Sequence, residues 1–483
     1  MKKNRRDFFR LTGLAGMGLA GSSVLQAFSP RSENSDTPDG DIPGGVAKKQ
    51  HVQKFNMSGY AAPKLDIVRI GFIGVGSRGT EAVERMSKIE GVEIRAICDK
   101  RPEAANAAKK KLDSTVHNPE IYAGSEEIWK KLCERDDLDL VYTATPWDLH
   151  TPIAVYAMDH GKHAAIEVPG AQSIEQCWQL VETSERTRKH CMMLENCCYD
   201  FFELLTLNMA RQGFFGEIVH CDCGYLHDLN EEIIWSKNRF VDMWQLKQLG
   251  KRKGNLYPTH GLGPVCQVMN INRGDKLDYM VSLSGNDFLL GEKAKKLAAS
   301  DDFYKPYAGK AYNGNMNTSL IRTEKGRTIM LQYDISSPRP YTRIQMISGT
   351  KATSLKYPLP GRISKGDAWA TDEEYKVLEE KYTPAIILKI GEMAKQVGGH
   401  GGMDFLMDWR LIDCLRNGLP LDEDVYDAAL WSSVGLLSEW SVANRSATVD
   451  IPDFTCGSYK TNSPIDISMS KGGTTRIRNV QNR

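Results

Sequence analysis

A glycine-rich turn at the start of the first strongly patterned segment constrains the fold more than any other feature of the chain. The apolar run Asp66–Ile73 has the length and composition of a buried parallel strand. It leads directly into G-V-G-S-R-G at residues 74–79, and a helical pattern follows as far as Met86. A G-x-G-x-x-G motif is informative when it ends a strand and opens a helix, as it does here. The pattern therefore predicts an α/β fold that begins with a doubly wound parallel sheet.

The glycines of this turn indicate a Rossmann unit that binds a dinucleotide. Gly74 permits the tight turn, Gly76 lets the backbone approach a pyrophosphate, and Gly79 brings helix and strand together. The helix N-terminus then offers free N–H groups and partial positive charge to the phosphates. The next strand, Val92–Cys98, ends at Asp99, whose carboxylate can accept hydrogen bonds from the adenosine ribose. An acidic residue at this tip favours NAD over NADP.

Two alternatives stay open at this turn. Lys100 and Arg101 directly follow the acidic tip, and their positive charges could tolerate the 2′-phosphate of NADP. A glycine-rich turn can also occur in a doubly wound domain that holds no cofactor. Strand, turn, helix and acidic tip all lie in register here, which favours the dinucleotide site.

The length of the chain and its net charge indicate the number of domains and the kind of partner. A chain of 483 residues is longer than one hydrophobic core usually organises, so we expect two folded domains. The formal net charge is +1, and lysine and arginine form no long block that would make a basic stripe. We therefore expect no nucleic-acid partner.

The N-terminus is typical of an exported protein. Arg5 and Arg6 precede two aromatic residues and the weakly apolar run Leu11–Phe28. This order of elements resembles a twin-arginine signal peptide, which we assign to residues 1–30. The run is short and rich in glycine for a membrane span, and a basic disordered tail is the alternative reading. The prediction is a periplasmic or otherwise exported protein whose partner during export is the twin-arginine translocation machinery.

Export of a folded chain bears on the cofactor. Twin-arginine substrates cross the membrane already folded, so a dinucleotide loaded in the cytoplasm can leave inside the protein. A periplasm offers little free dinucleotide, so we expect NAD to be bound tightly. The 11 cysteines form neither a disulfide framework nor a zinc-ligand spacing, so we expect buried thiols and no metal.

Composition divides the rest of the chain. Residues 31–65 are polar and without periodicity, which indicates a linker. The Rossmann domain is predicted over 66–195, with further strands at 138–145 and 163–166 and a helix at 152–159. An α+β domain for substrate and oligomerisation is predicted over 196–455, before a C-terminal tail at 456–483; whether identical chains associate stays open.

The second domain shows alternating patterns typical of an open, mostly antiparallel sheet. These patterns cover Gly216–Tyr225, Ser319–Asp334 and Arg343–Ser348. Helical periodicity follows over Asp404–Arg416 and Val425–Ala443.

The Rossmann half resembles the Gfo/Idh/MocA superfamily of nicotinamide-dependent sugar enzymes. The third predicted strand ends in Pro146-Trp147-Asp148-Leu149-His150, and the fourth in Glu167-Val168-Pro169. In that superfamily the second motif usually reads Glu-Lys-Pro, and the lysine transfers a proton at the oxidised hydroxyl. Valine cannot transfer a proton, so Val168 argues against an ordinary sugar dehydrogenase.

A closer resemblance is to glycoside hydrolase family 109, the NAD-dependent α-N-acetylgalactosaminidases of the same superfamily. It rests on Y-P-T-H-G-L-G-P at residues 257–264 together with Trp147–His150 and Glu167–Val168, and it covers roughly Ile67 to Pro452. For the cofactor it implies Ser77, Arg78, Asp99, Trp147, Asp148, Leu149, His150, Glu167, Val168 and Asn196. For the sugar it implies Tyr225, Tyr257, Pro258, Thr259, His260 and Tyr341. Gln245 stands where relatives carry arginine, which leaves the sugar or its substituent open.

The reaction of such an enzyme depends on the 3-hydroxyl of the sugar. Glycosidases usually need two carboxylates, but NAD-dependent families are an exception. Oxidation of the 3-hydroxyl acidifies the proton on carbon 2, and its removal expels the glycosidic oxygen from carbon 1. Water then adds and hydride returns to carbon 3, so the cofactor is regenerated in each turnover.

Three residues are the candidates for proton transfer. His260 suits the 3-hydroxyl, because an imidazole can accept and donate a proton, although a hydrogen-bonded core histidine is the alternative reading. Tyr225 is favoured over Tyr257 as the base at carbon 2, and either phenol would need a nearby positive charge. Tyr341 could equally pack beside its proline neighbours.

The function predicted is an exported glycosidase acting on α-linked N-acetylgalactosamine or a near relative. One alternative is a periplasmic sugar oxidoreductase of the same superfamily. Another is a carbohydrate-binding protein that keeps NAD as a structural ligand. Release of aglycone from a glycoside separates the first function from both alternatives.

Overall fold

A six-stranded parallel sheet forms the first layer of the computed structural model, which describes residues 51–230, 233–237 and 241–478. Its strand order is β3-β2-β1-β4-β5-β6, and every neighbouring pair is parallel. The order reverses between β1 and β4, which is where doubly wound sheets bind ligands. The strands are β1 Val68–Ile73, β2 Val92–Asp99, β3 Glu120–Ala123, β4 Leu140–Thr143, β5 His163–Ile166 and β6 Cys191–Met193.

The predicted parallel sheet is confirmed, with one strand that the sequence pattern did not reveal. Strand β3 is only four residues long, lies at the sheet edge and has no fully buried residue, so it lacks an apolar run. The helices between the strands cover both faces of the sheet, as parallel connections require. They are α1 Ser77–Met86, α2 Pro102–Lys110, α3 Trp129–Cys133, α4 His150–Asp159 and α5 Ile174–Thr187.

An eight-stranded sheet forms the second layer and confirms the mostly antiparallel prediction. Its order is β13-β12-β11-β7-β10-β9-β8-β14, and only β7 and β10 run parallel to each other. The strands are β7 Ile218–Leu226, β8 Leu277–Ser284, β9 Asn317–Thr323, β10 Thr328–Asp334, β11 Met346–Gly349, β12 Thr353–Leu355, β13 Arg362–Ser364 and β14 Val449–Asp450.

Helices of the C-terminal half connect the two sheets. Arg85 of α1 donates to buried Asp408 at 2.8 Å, and the Gly170 N–H donates to Ser432 Oγ at 3.0 Å. The last two long helices therefore pack against the Rossmann layer. The helices of this half are α6 Phe201–Arg211, α7 Trp244–Lys251, α8 Thr259–Met269, α9 Leu290–Ser300, α10 Asp372–Tyr382, α11 Ala385–Val397, α12 Met403–Asn417 and α13 Val425–Ala443.

The described part of the predicted linker is packed, which corrects the expectation of a free connector there. Met57 is buried, and its N–H donates to the Tyr426 hydroxyl at 3.1 Å. His51 contacts buried Glu185 of α5 at 3.0 Å. Such contacts with distant helices leave no periodic trace in a polar segment. Residues 1–50, including the predicted export signal, lie outside the described residues.

The C-terminal tail and the cysteines complete the fold. The Gly473 N–H donates to Asp413 of α12 at 2.6 Å, and Trp409 donates to the Thr475 carbonyl at 3.0 Å. Every cysteine except Cys456 is buried, and all are free thiols. Among the described residues, no helix is long and apolar enough to cross a membrane.

Candidate active site

A cavity of about 640 Å³ lies at the carboxyl edge of the parallel strands and extends to the second sheet. Ligand cavities in proteins have volumes of this order. Most of the residues predicted for cofactor and sugar line it. They are Gly74, Gly76, Ser77, Arg78, Asp99, Trp147, Asp148, Leu149, His150, Glu167, Val168, Asn196, Tyr225, Gln245, Tyr257 and His260.

The glycine-rich turn has the geometry that a dinucleotide site requires. Gly74 has a φ of +81°, in the left-handed region that favours glycine. A Cβ on Gly79 would overlap the carbonyl oxygen of Gly74, so helix and strand approach as closely as predicted. A Cβ on Gly76 would meet only an Arg101 nitrogen, at 3.6 Å, so this backbone is open toward the cavity. The turn therefore fits a pyrophosphate.

Asp99 both supports this turn and faces the cavity. Its Oδ2 accepts from the Val75 N–H at 3.1 Å, and its Oδ1 accepts from the Arg101 N–H at 3.0 Å. The carboxylate thus joins the end of β2 to the turn after β1. Lys100 Nζ is paired with Glu126 and Asp242, each at 3.1 Å.

Arg78 connects the glycine-rich turn with three other parts of the chain. Its Nε donates to Glu167 Oε1 at 2.6 Å, and its Nη1 donates to Asp404 Oδ2 at 2.5 Å. Asn196 donates to the other oxygen of Asp404 at 2.5 Å, and His400 Nδ1 lies 2.9 Å from Asp404. Arg78 keeps the pKa of Asp404 well below its ordinary value despite the opposing effect of burial.

The turn after β4 contributes one structural histidine and one aromatic wall. Both ring nitrogens of His150 face backbone carbonyls at 2.8 Å, those of Thr145 and Pro169. Burial lowers the pKa of His150 while the two carbonyls oppose this shift, and the contacts of the ring fix the turn. The Trp147 ring lies 5.9 Å from the Tyr257 ring, between centroids.

The three predicted proton-transfer residues form one cluster on the cavity wall. The His260 ring centroid lies 5.2 Å from that of Tyr225 and 4.8 Å from that of Tyr257. The two tyrosine rings are 5.0 Å apart. Glu195 contacts the His260 ring, with 2.6 Å between Glu195 Oε1 and His260 Nδ1.

The two tyrosines differ in their surroundings. Burial, and then the neighbouring Tyr225, raise the pKa of Tyr257 well above its ordinary value. The Tyr225 hydroxyl instead lies 3.0 Å from Nδ1 of His227, with which it shares a hydrogen bond. Tyr225 therefore has a titratable hydrogen-bond partner at its hydroxyl.

Four predicted residues do not line the cavity. Tyr341 lies behind His227, with 4.9 Å between ring centroids, and its hydroxyl accepts from Arg343 at 2.9 Å. Pro258 and Thr259 are buried at the start of α8, and Gly79 packs against the turn.

The cavity also contains residues that the sequence did not single out. They come from loops and strand ends far apart in the chain, where no local motif marks them. They include His227, Leu229, Ile233, Trp244, Tyr333 and Ile335. Glu195, which directly contacts His260, belongs with them because only the fold brings the two residues together.

One group of side chains has the composition of a metal site. Donor atoms of Glu195, Cys197 and His260 lie within 4.8 Å of one another. Burial raises the pKa of the Cys197 thiol well above its ordinary value, and Nδ1 of His260 is already engaged by Glu195. These properties describe a hydrogen-bonded cluster.

Fold and site together define a protein with a Rossmann domain of the dinucleotide-binding type, followed by a second, mostly antiparallel sheet. Residues 68–195 match the family described as "Oxidoreductase family, NAD-binding Rossmann fold". The fold is similar to an NAD binding oxidoreductase from Klebsiella pneumoniae, with a TM-score of 0.60 and 18% identity over 80% of this chain and 99% of that one. It is also similar to a levoglucosan dehydrogenase in complex with NADH and L-sorbose (TM-score 0.59, 15% identity, covering 80% and 100%).

The family itself follows from the second domain and from close relatives. Residues 199–461 match the "Glycosyl hydrolase 109, C-terminal domain". A Bacteroides fragilis protein named alpha-N-acetylgalactosaminidase is 50% identical over 409 residues, which cover 83% of this chain and 95% of that protein. A Porphyromonas gingivalis family 109 protein is 44% identical over 466 residues, covering 92% and 95%. This chain belongs to glycoside hydrolase family 109, and it is a glycosidase.

Proposed function

We propose that this enzyme hydrolyses terminal α-linked N-acetylgalactosamine by transient oxidation at carbon 3, elimination, and water addition at carbon 1. The observation that carries this proposal is the position of His260, Tyr225 and Tyr257 on the wall of the cavity that begins at the glycine-rich turn. The name of the Bacteroides fragilis relative supports the choice of sugar.

The residues present fit NAD as the resident cofactor. The open backbone at Gly76 and the N-terminus of α1 would hold the pyrophosphate, and Asp99 would hold the adenosine ribose. When bound, NAD supplies a reversible hydride acceptor for carbon 3 of the sugar. Glu167 and Asn196, both tied to the Arg78 cluster, would lie along the same cofactor.

His260 is the group that takes the proton of the 3-hydroxyl in this proposal. Its Nδ1 is occupied by Glu195, and the residue lines the cavity, so Nε2 is the nitrogen available to substrate. An imidazole can accept and return this proton near neutral pH, as a cycle of oxidation and reduction requires.

Tyr225 is the base at carbon 2 in this proposal. Its hydroxyl shares a hydrogen bond with His227, which offers a second site for the proton. The raised pKa of Tyr257 makes that phenol a poorer base and suits it to packing against the sugar, beside Trp147.

Export completes the proposal. The twin-arginine pattern at residues 1–30 predicts that the folded protein leaves the cytoplasm with its cofactor. Tight retention of NAD suits this setting, because a cofactor that is regenerated in each turnover needs no external supply.

The test is proton NMR of the purified holoenzyme with an aryl α-N-acetylgalactosaminide in heavy water. We expect free sugar that carries deuterium at carbon 2, with no accumulation of NADH. Net NADH with a keto-sugar would indicate the oxidoreductase instead. An intact glycoside, across a panel of α- and β-glycosides, would contradict hydrolysis and favour the binding protein.

A further inference from the structure

Glu195 is an unusually placed carboxyl group. It is completely buried, directly after β6, at the start of a short 3-10 helix over Asn196–Tyr199. Its Oε1 accepts from the Cys197 N–H at 3.1 Å and lies 2.6 Å from Nδ1 of His260. A buried carboxyl group is costly unless it is paired, and the side chain paired with it here is His260.

The protonation state of Glu195 follows from its neighbours. Burial favours the neutral acid, but His260 outweighs it and lowers the pKa of Glu195 below the ordinary value. Glu423, whose Oε2 accepts from the Glu195 N–H at 3.2 Å, has the opposite shift. Burial, and then the charge of Glu195, raise the pKa of Glu423 well above its ordinary value. Glu195 is therefore the charged member of the pair.

An ionised carboxylate can only accept a hydrogen bond, which fixes the tautomer of His260. The hydrogen on the neutral ring must sit on Nδ1, toward Glu195, and Nε2 is left as an acceptor. The other groups facing the ring are the Tyr225 and Tyr257 phenols and the Cys197 thiol. The pKa of Tyr257 and that of Cys197 are raised, so both are neutral near pH 7.

We propose that Glu195 is a positioning residue that makes His260 the proton acceptor for the sugar 3-hydroxyl. This inference rests on the proposed function. Glu195 holds the ring with Nε2 toward the cavity and stays ionised while the hydroxyl proton moves to Nε2. The imidazolium formed is stabilised by the buried negative charge, and it returns the same proton when carbon 3 is reduced. No atom of Glu195 contacts the sugar.

The substitution Glu195→Gln tests this role. The amide oxygen of glutamine can keep the hydrogen bonds from the Cys197 N–H and from Nδ1, but it carries no negative charge to stabilise the imidazolium. We expect kcat for the aryl α-N-acetylgalactosaminide to fall about a hundredfold or more, with little change in KM. Nitrogen-15 NMR of histidine-labelled holoenzyme should show the Nδ1–H tautomer of His260 in the parent and in the variant. The His260→Ala spectrum assigns the signal.

Glu185→Gln is the matched control. Glu185 is also a buried glutamate paired with a histidine, His51 at 3.0 Å, but it lies on α5 outside the cavity lining. We expect its kcat and the His260 signal to be unchanged. The double variant Glu195→Gln with His260→Ala should be no slower than His260→Ala alone, because Glu195 acts only through the imidazole.

The outcomes separate this inference from the proposed function. If the parent enzyme does not hydrolyse the glycoside, the proposed function fails, and the NMR tautomer still decides whether Glu195 orients His260. An Nε2–H tautomer in the parent, an unchanged kcat in Glu195→Gln, or a double variant much slower than His260→Ala would overturn the positioning role. Circular dichroism and retained NAD establish that each variant is folded.

Discussion

Arg78 in the glycine-rich turn donates to Asp404 on α12 at 2.5 Å, across 326 positions of the chain. The Asp404 side chain is fully buried. It also accepts a hydrogen bond from Asn196 and contacts His400. The wall beside the predicted pyrophosphate site is therefore built by residues from distant parts of the chain. Cofactor binding and the packing of α12 should depend on the same ion pair.

The substitution Asp404→Asn should weaken both properties. Removing one partner of a buried ion pair leaves Arg78 and Arg85 with less compensating charge, and such losses cost about 3–5 kcal/mol. We expect a clearly lower midpoint of thermal unfolding and at least about tenfold weaker NAD binding by titration of stripped protein. Asp66→Asn is the control, because Asp66 pairs with Lys64 in an exposed position and should change neither. A variant with unchanged NAD affinity would contradict the shared role.

NAD should bind better than NADP. The two cations that follow Asp99 are already paired, Lys100 with Glu126 and Asp242, and Arg101 with Asp99 itself at 3.3 Å. A 2′-phosphate would have to break these pairs beside a carboxylate. We expect at least about tenfold tighter binding of NAD, which corresponds to about 1.4 kcal/mol.

Removing the two ion-pair partners of Lys100 should reduce the preference for NAD over NADP. The double variant Glu126→Gln with Asp242→Asn frees the lysine for a phosphate, so NADP affinity should rise while NAD affinity changes little. Fluorescence titration of stripped protein measures both. Equal affinity of the parent for the two dinucleotides would count against the assignment of Asp99 to the ribose.

The two tyrosines should be separable by isotope exchange. Tyr225→Phe removes the hydroxyl that is bonded to His227, and we expect about a hundredfold or greater loss of deuterium incorporation at carbon 2. Tyr257→Phe keeps the aromatic ring and removes a phenol whose pKa is raised by burial, so its loss should be about tenfold or less. Proton NMR in heavy water reports the rates directly. The reverse order would assign the base to Tyr257.

The sequence identified the parts of the site that sit in short motifs. Gly74, Asp99 and His260 each follow or open an element, so their positions could be predicted from strand ends and turns. Glu195 could not be connected with His260, because 65 positions separate them and only the fold places them in contact. Tyr341 illustrates the opposite case: the family resemblance implied a sugar contact, but the Tyr341 hydroxyl accepts a hydrogen bond from buried Arg343 outside the cavity lining.

The same reasoning applies to the fold. Buried parallel strands and long amphipathic helices left clear patterns, and α13 begins and ends at the predicted residues, Val425–Ala443. Strand β3 left none, because an exposed four-residue edge strand has no apolar run. The packing of residues 51–65 depends on single polar contacts with distant helices. Such contacts cannot be predicted from the periodicity of apolar residues in the sequence.

Two buried histidines should make the fold sensitive to acid. Burial, and for His190 the charge of Lys189, lower the pKa of His190 to about 4, and burial lowers that of His163 well below its ordinary value. The unfolded chain, with a pKa near 6.5, binds these protons first, so stability is lost as pH falls from about 6.5 toward 4. For His190 alone this amounts to about 3 kcal/mol of unfolding free energy.

The substitution His190→Phe should remove most of this pH dependence. Phenylalanine keeps the ring beside Tyr60, 5.2 Å away between centroids, and takes away the titrating group. Urea unfolding at pH 7 and at pH 4 should show a smaller acid loss than in the parent, by about 3 kcal/mol. Among the other titrating groups His163 also changes, because the charge of His190 helps to lower its pKa, so the variant also relieves part of the acid loss at His163. His160→Phe, at an exposed histidine, should keep the parent slope.

Gln245 should show opposite effects on stability and on substrate binding. Its side chain is 9% exposed and lines the cavity, and its Oε1 has no hydrogen-bond partner among the described residues. A buried acceptor without a donor costs about 1–3 kcal/mol, and a sugar hydroxyl or acetamido N–H in the cavity would satisfy it. Gln245→Leu should therefore raise the midpoint of thermal unfolding of the substrate-free protein. The same change should raise KM for the aryl α-N-acetylgalactosaminide about tenfold with kcat nearly unchanged, because a ground-state hydrogen bond is lost. If KM stays constant while stability rises, Oε1 is a structural defect that the substrate does not reach, and the specificity of the sugar site must come from other residues of the wall.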